Sequence, residues 1–92
     1  MIKTFADKQT QKLFEGASPR KYRAFQQQAE RKLQMLDMAV TLDFLRSPPG
    51  NRLEALSGDR EGQHSIRINQ QWRLCFRWVD GEAFDVEITD YH

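Results

Sequence analysis

Only one cysteine, Cys75, occurs in the chain, so no internal disulfide can form and every cysteine-rich zinc site is excluded. With no signal-like apolar stretch behind Met1, this scarcity predicts a reducing, cytoplasmic setting. Histidine is almost as rare: His64 and His92 stand too far apart for metal-ligand spacing, and no metal is expected. No apolar run approaches the ~20 residues needed to span a bilayer, so no membrane is expected among the partners. Proline (3) and glycine (5) are too few for a disordered or collagen-like chain. An excess of one charge is missing too, since 14 Lys+Arg face 13 Asp+Glu. Total charge therefore does not announce a nucleic-acid binder, and the distribution of charge has to decide. What is present fits one small soluble domain over residues 1–92, with little apolar content to spare for an enclosed ligand cavity.

Hydrophobic spacing divides the chain in two. Residues 1–6 alternate loosely enough to predict a short first strand. Asp7 is placed to cap a helix over 8–15, with Gly16 at the left-handed C-terminal position. Ser18-Pro19 predicts a second helix start, and Tyr22, Phe25, Ala29, Leu33 and Leu36 then recur every three or four residues, predicting a helix over 19–39. Leu42 and Leu45 allow one further turn before Ser47-Pro48-Pro49-Gly50-Asn51 breaks the chain. Beyond this point the period becomes two. Residues 51–56 suggest a strand and 57–62 a turn. Three alternating runs follow: 63–69, with His64, Ile66 and Ile68 inward; 72–79, with Trp72, Leu74, Phe76 and Trp78 inward; and 83–89, with Phe84, Val86 and Ile88 inward. The expectation is an α+β fold, two N-terminal helices packed on one face of a mainly antiparallel sheet.

Strand parity says what the other face carries. A loop at Asn69-Gln70-Gln71 sets Ile66 opposite Leu74, and therefore Arg67 opposite Arg73. A two-residue turn at Asp80-Gly81 would set Arg77 against Phe84, in conflict with their faces. A three-residue loop, 79–81, is therefore expected, pairing Phe76 with Phe84, Leu74 with Val86, Trp72 with Ile88 and Arg73 with Glu87. Like charges on facing strands oppose folding. Arg67, Arg73 and Arg77 are then either neutralised within the sheet, by Glu87 and Asp85, or held for a bridging polyanion whose phosphate oxygens match the guanidinium fork. Asp90-Tyr91-His92 ends the strand beside the arginine strand, which puts proton-transfer groups near phosphate-binding ones. His64, on the apolar face, reads as a satisfied histidine at the core edge.

The run from Leu56 to Phe76, LSGDREGQHSIRINQQWRLCF, closed by VEITDYH at 86–92, resembles the HigB toxins, the plasmid-maintenance killer family within the RelE/ParE superfamily. Its opening MIKTF, its Leu13-Phe14-Glu15 and its Arg46 to Leu56 segment resemble the chromosomal, GraT-type branch. The resemblance implies a RelE-like fold and a ribosome-dependent mRNA endonuclease that uses no metal or other cofactor. It also implies a partner, a HigA-like helix-turn-helix antitoxin, through which alone the toxin would meet operator DNA. Carried over position by position, Arg73 matches the phosphate-contacting arginine, and Asp90, Tyr91 and His92 match the terminal catalytic cluster. Arg67, Arg77 and Arg60 are expected to grip RNA. Two positions depart: Glu54 and Ser57 stand where the plasmid HigB proteins carry a histidine and a lysine. Glu54 could act as a general base, and loss of the lysine predicts attenuated cleavage. The rival readings are a ParE-like toxin that binds gyrase and a non-catalytic interaction module docking through the 19–39 helix.

Overall fold

Asp7 begins the helical part: its extended backbone (φ −142°, ψ 158°) lets its carboxylate accept the Thr10 amide at 3.1 Å, satisfying one of the orphan donors of α1 (Lys8–Phe14). Gly16, at φ +103°, turns the chain away after that helix. The computed structural model describes residues 1–90; the expectations for Tyr91 and His92 fall outside the described residues.

The amphipathic stretch from residue 19 is not one α-helix. It opens as a 3-10 helix (Arg20–Phe25), breaks at Phe25 (φ −134°, ψ 28°) and continues as α2 (Gln26–Met38). A 3-10 helix has three residues per turn, so Tyr22 and Phe25 fall on one side of it. Both rings reach Trp72 there, Tyr22 edge-on at 6.1 Å and Phe25 stacked at 5.2 Å. Nor does Ser18 cap the helix; its hydroxyl donates forward to Gln26 Oε1 at 2.6 Å. The predicted turn after α2 is a 3-10 helix, Leu42–Arg46, started by Thr41 Oγ1 accepting the Phe44 amide. None of the described helices is long and apolar enough to cross a membrane.

The strands form one antiparallel sheet in chain order: β1 (Glu54–Ala55), β2 (His64–Arg67), β3 (Arg73–Val79) and β4 (Glu82–Thr89). Residues 1–6 do not make a full strand. They run parallel to β4 through isolated bridges at Ile2 with Ala83 and Phe5 with Val86, which cover that edge. α1, the Arg20–Phe25 3-10 helix and α2 bury Leu13, Tyr22, Ala29, Leu33 and Leu36 against Ile66, Leu74, Phe76, Val86 and Ile88 on one sheet face.

The β2–β3 register is the expected one, Ile66 opposite Leu74 and Arg67 opposite Arg73. The β3–β4 register corrects the expected one. A two-residue turn, Asp80-Gly81, with φ of +49° and +81°, joins Val79 to Glu82 and does set Arg77 opposite Phe84. Phe84 consequently stays outside the core cluster. Parity is restored by a bulge in β4, where Asp85 sits at φ +53°, so that Cys75 pairs with Glu87, Leu74 with Ile88 and Arg73 with Thr89. The conflict between the faces is resolved inside the strand and not by a longer loop.

Candidate active site

Paired residues share a face, so Glu54, Ser65, Cys75 and Glu87 form one row across the sheet surface remote from the helices, and Arg67, Arg73 and Thr89 form the next. The core residues of α1 and α2 lie on the opposite face, yet Ser65 and Cys75 are fully buried here. Long polar side chains close over them. The Arg73 side chain, only 13% exposed, crosses from its own row to the neighbouring one. Its Nε donates to Ser65 Oγ at 2.8 Å, and its Nη2 donates to the Arg52 carbonyl at 2.8 Å and lies 3.4 Å from Glu54 Oε1. Arg60 Nη1 donates to Glu87 Oε1 at 2.8 Å and to Gln63 Oε1 at 3.0 Å. Glu87 therefore serves Arg60 and not Arg73, as its place opposite Cys75 requires. Burial pushes the Cys75 thiol up to about 11.

A cavity of about 270 Å³ opens beside Arg73, lined by Arg52, Glu54, Arg67, Asn69, Gln70 and Arg73. Three guanidinium-bearing residues thus face one carboxylate. Arg67 is steered by donation of its Nε to the Asn69 carbonyl at 3.0 Å. The β2–β3 turn is held by Asn69 Oδ1, which accepts the amides of Gln71 and Trp72 at 2.8 Å each. Asp90 follows Thr89, the partner of Arg73, and its Oδ2 accepts from Gln71 Nε2 at 3.0 Å, so the end of β4 meets the turn that forms the cavity's edge.

Of the residues singled out in the sequence, the fold brings Arg73, Arg67 and Glu54 into one cavity and sets Asp90 beside its edge. Arg77 and Arg60 lie outside it, Arg77 paired with Asp85 at 3.3 Å and Arg60 with Glu87. Sequence reasoning missed Arg52, Asn69 and Gln70. The one available signal was a cation set directly after a Pro-Pro-Gly-Asn breaker and two residues before Glu54. His64 is not satisfied as expected: its ring stacks on Phe76 at 6.2 Å, but its Nδ1 is buried with no partner among the described residues. Nor do any three described His, Cys, Asp or Glu side chains cluster closely enough to hold a metal ion.

Comparison with known proteins agrees with this architecture. A chain of the YoeB-YefM complex from Staphylococcus aureus superposes with a TM-score of 0.58 at 16% identity, covering 100% of this chain and 98% of that one, which establishes the shared fold. The chain is 49% identical over 61 residues to Toxin HigB-1 of Vibrio cholerae serotype O1, a match spanning 66% of this chain and 64% of that toxin. It is 35% identical over 95 aligned positions to Endoribonuclease HigB of Proteus vulgaris, covering 100% of both. Residues 3–92 match the family model of HigB-like toxins, the RelE-like toxins of the type II toxin-antitoxin system HigB, and the chain belongs to that family.

Proposed function

We propose that residues 1–92 form a single toxin domain that cuts messenger RNA in the ribosomal A site, in the cytoplasm, with the scissile phosphate held in the cavity among Arg52, Arg67 and Arg73. The chain is an endoribonuclease toxin of a type II system, a reading supported by the full-length match to the Proteus vulgaris endoribonuclease. An antitoxin is its partner. A HigA-like helix-turn-helix protein fills that role and carries the toxin to operator DNA. Within the family, the opening MIKTF and the Arg46 to Leu56 segment favour the GraT-type branch.

The observation that carries the site assignment is Arg67 facing Arg73 across hydrogen-bonded strands at the wall of a cavity that also takes Arg52. Two cations opposed in a sheet weaken it unless an anion joins them. A phosphodiester does so and accepts the guanidinium fork. Glu54, at the same wall, takes the proton of the ribose 2′-hydroxyl. The 2′-oxygen attacks phosphorus in line, and Arg73 stabilises the charge gathering on the non-bridging oxygens. The P–O5′ bond breaks as His92 or Tyr91 protonates the leaving oxygen, giving a 2′,3′-cyclic phosphate and a 5′-hydroxyl. Asp90 is the third member of this proposed terminal cluster and is itself tied through Gln71 to the turn at the cavity's edge. Arg77 and Arg60 guide the strand beyond the cavity, exchanging Asp85 and Glu87 for backbone phosphates. So small a protein cannot by itself hold RNA unstacked and in line, and the ribosome supplies that positioning.

Mapping RNA 5′ ends in cells expressing the protein tests this reading. Cuts within translated reading frames are expected. Intact messages together with inhibited DNA supercoiling would transfer the protein to the gyrase-directed class.

A further inference from the structure

Among the described residues, the buried polar side chains are Thr10, Asn51 and Ser65. Ser65 touches Arg73 directly, and Asn51 reaches it by one step. A buried carboxamide is costly unless its donors and acceptor are used. Here they are: Lys32 Nζ donates to Asn51 Oδ1, and Asn51 Nδ2 donates to the Leu45 carbonyl at 3.1 Å and lies 3.0 Å from the Met35 sulfur. Lys32 and Met35 belong to α2 and Leu45 to the Leu42–Arg46 3-10 helix, so one side chain ties the loop after Pro48-Pro49 to two elements of the helical layer. Burial, with the neighbouring Arg31 charge, draws the Lys32 ammonium below its ordinary value.

The next residue uses this anchor. Arg52 is left-handed, at φ 46° and ψ 57°, a conformation that a non-glycine residue keeps where its surroundings over-determine it. That twist aims its carbonyl at Arg73 Nη2, and two residues on Glu54 meets the same nitrogen. With Nε held by Ser65, the guanidinium is fixed from both sides of the cavity wall.

We propose that Asn51 is a positioning residue for Arg73: by anchoring the 47–54 loop to α2 it sets the Arg52 carbonyl and the Glu54 carboxylate where they orient the guanidinium in the cavity. The proposal rests on the reading of Arg73 as the phosphate-binding group. Without the anchor the left-handed turn relaxes, the carbonyl withdraws, and Arg73 keeps its charge but loses its aim.

The test is single-turnover cleavage of ribosome-bound message by Asn51→Ala, Lys32→Met, Arg73→Ala and the two double variants that include Arg73→Ala. Asn51→Ala should slow the cleavage step ~10-fold or more and Lys32→Met ~3-fold, with toxin binding to the loaded ribosome changed by less than about twofold. In the Arg73→Ala background each change should slow cleavage by a clearly smaller factor, since the guanidinium is no longer there to be aimed and only the placement of Glu54 is still disturbed. Equal losses in both backgrounds, or no loss in either, overturn the role of Asn51 while leaving that of Arg73 standing. Full activity of Arg73→Ala overturns the site assignment itself. If Asn51→Ala does not fold, Lys32→Met, at a partly exposed position of α2, carries the same comparison with the same two outcomes.

Discussion

Glu54 Oε1 stands 3.4 Å from Arg73 Nη2, so the guanidinium that a phosphate would approach already carries a carboxylate. The two partners are unequally covered, Arg73 being 13% and Glu54 52% exposed, and water screens the attraction on the Glu54 side. A phosphate can therefore displace the carboxylate from the fork without breaking the hydrogen bonds from Nε to Ser65 and from Nη2 to the Arg52 carbonyl. On the proposed reading, that displacement frees Glu54 to accept the proton of the ribose 2′-hydroxyl.

Glu54→Gln keeps the shape and an oxygen for Arg73 but cannot accept a proton. Single-turnover cleavage on ribosomes should fall by ~10²–10⁴-fold, the usual range for a lost general base, with binding to the loaded ribosome unchanged. A variant that cleaves as fast as the unaltered protein, or faster, would reduce Glu54 to a competitor of the phosphate.

Arg73→Ala should cost roughly 2–4 kcal/mol of transition-state stabilisation, the scale of a removed oxyanion donor. Because the side chain is not simply displayed on the surface, a second effect is expected. The buried Ser65 hydroxyl and the Arg52 carbonyl lose their donor, and stability should fall by about 1–3 kcal/mol, measurable by urea denaturation. Arg73→Lys restores the charge without the fork and should recover only part of either loss. Unchanged single-turnover rates for both variants would remove Arg73 from the reaction.

His92→Gln, or removal of His92, should lower single-turnover cleavage by ~10²–10⁴-fold. Ribosome binding, shared among many Lys and Arg contacts, should change little. A loss below about tenfold would leave the chemistry to Arg73 and to positioning.

The buried thiol of Cys75 makes stability depend on alkaline pH. Burial raises its folded value to about 11 from 9.0. The unfolded chain therefore releases the proton first, and stability present below pH 9 is lost as pH rises toward 11. The loss should approach on the order of 2 kcal/mol. Cys75→Ala, which has no proton to release, should flatten this part of the profile in urea titrations at stepped pH. An equal alkaline decline in the variant would assign the slope to other groups.

The sequence by itself determined whatever neighbouring residues decide together. The Asp7 cap needs only Thr10 three positions on, and the Arg67–Arg73 opposition needs only a three-residue turn between two alternating runs. Family membership was legible for the same reason, being written in the order of residues around Arg73. The β3–β4 register was not legible. The Asp80-Gly81 turn and the inward positions of Val86 and Ile88 are incompatible in a regular ladder, and the sequence does not say which element yields. Packing decided it, since a bulge at Asp85 costs one unpaired residue whereas turning Val86 and Ile88 outward would empty the core beneath the helices. The break at Phe25 was equally illegible: on the 3-10 helix, at three residues per turn, Tyr22 and Phe25 align and both rings meet Trp72, a partner some fifty residues away. The cavity is the most tertiary feature of all. Arg52 and Glu54 meet Arg73 across some twenty residues of chain, and the loop that carries them is held by Asn51 to a helix that sequence periodicity shows only as amphipathic.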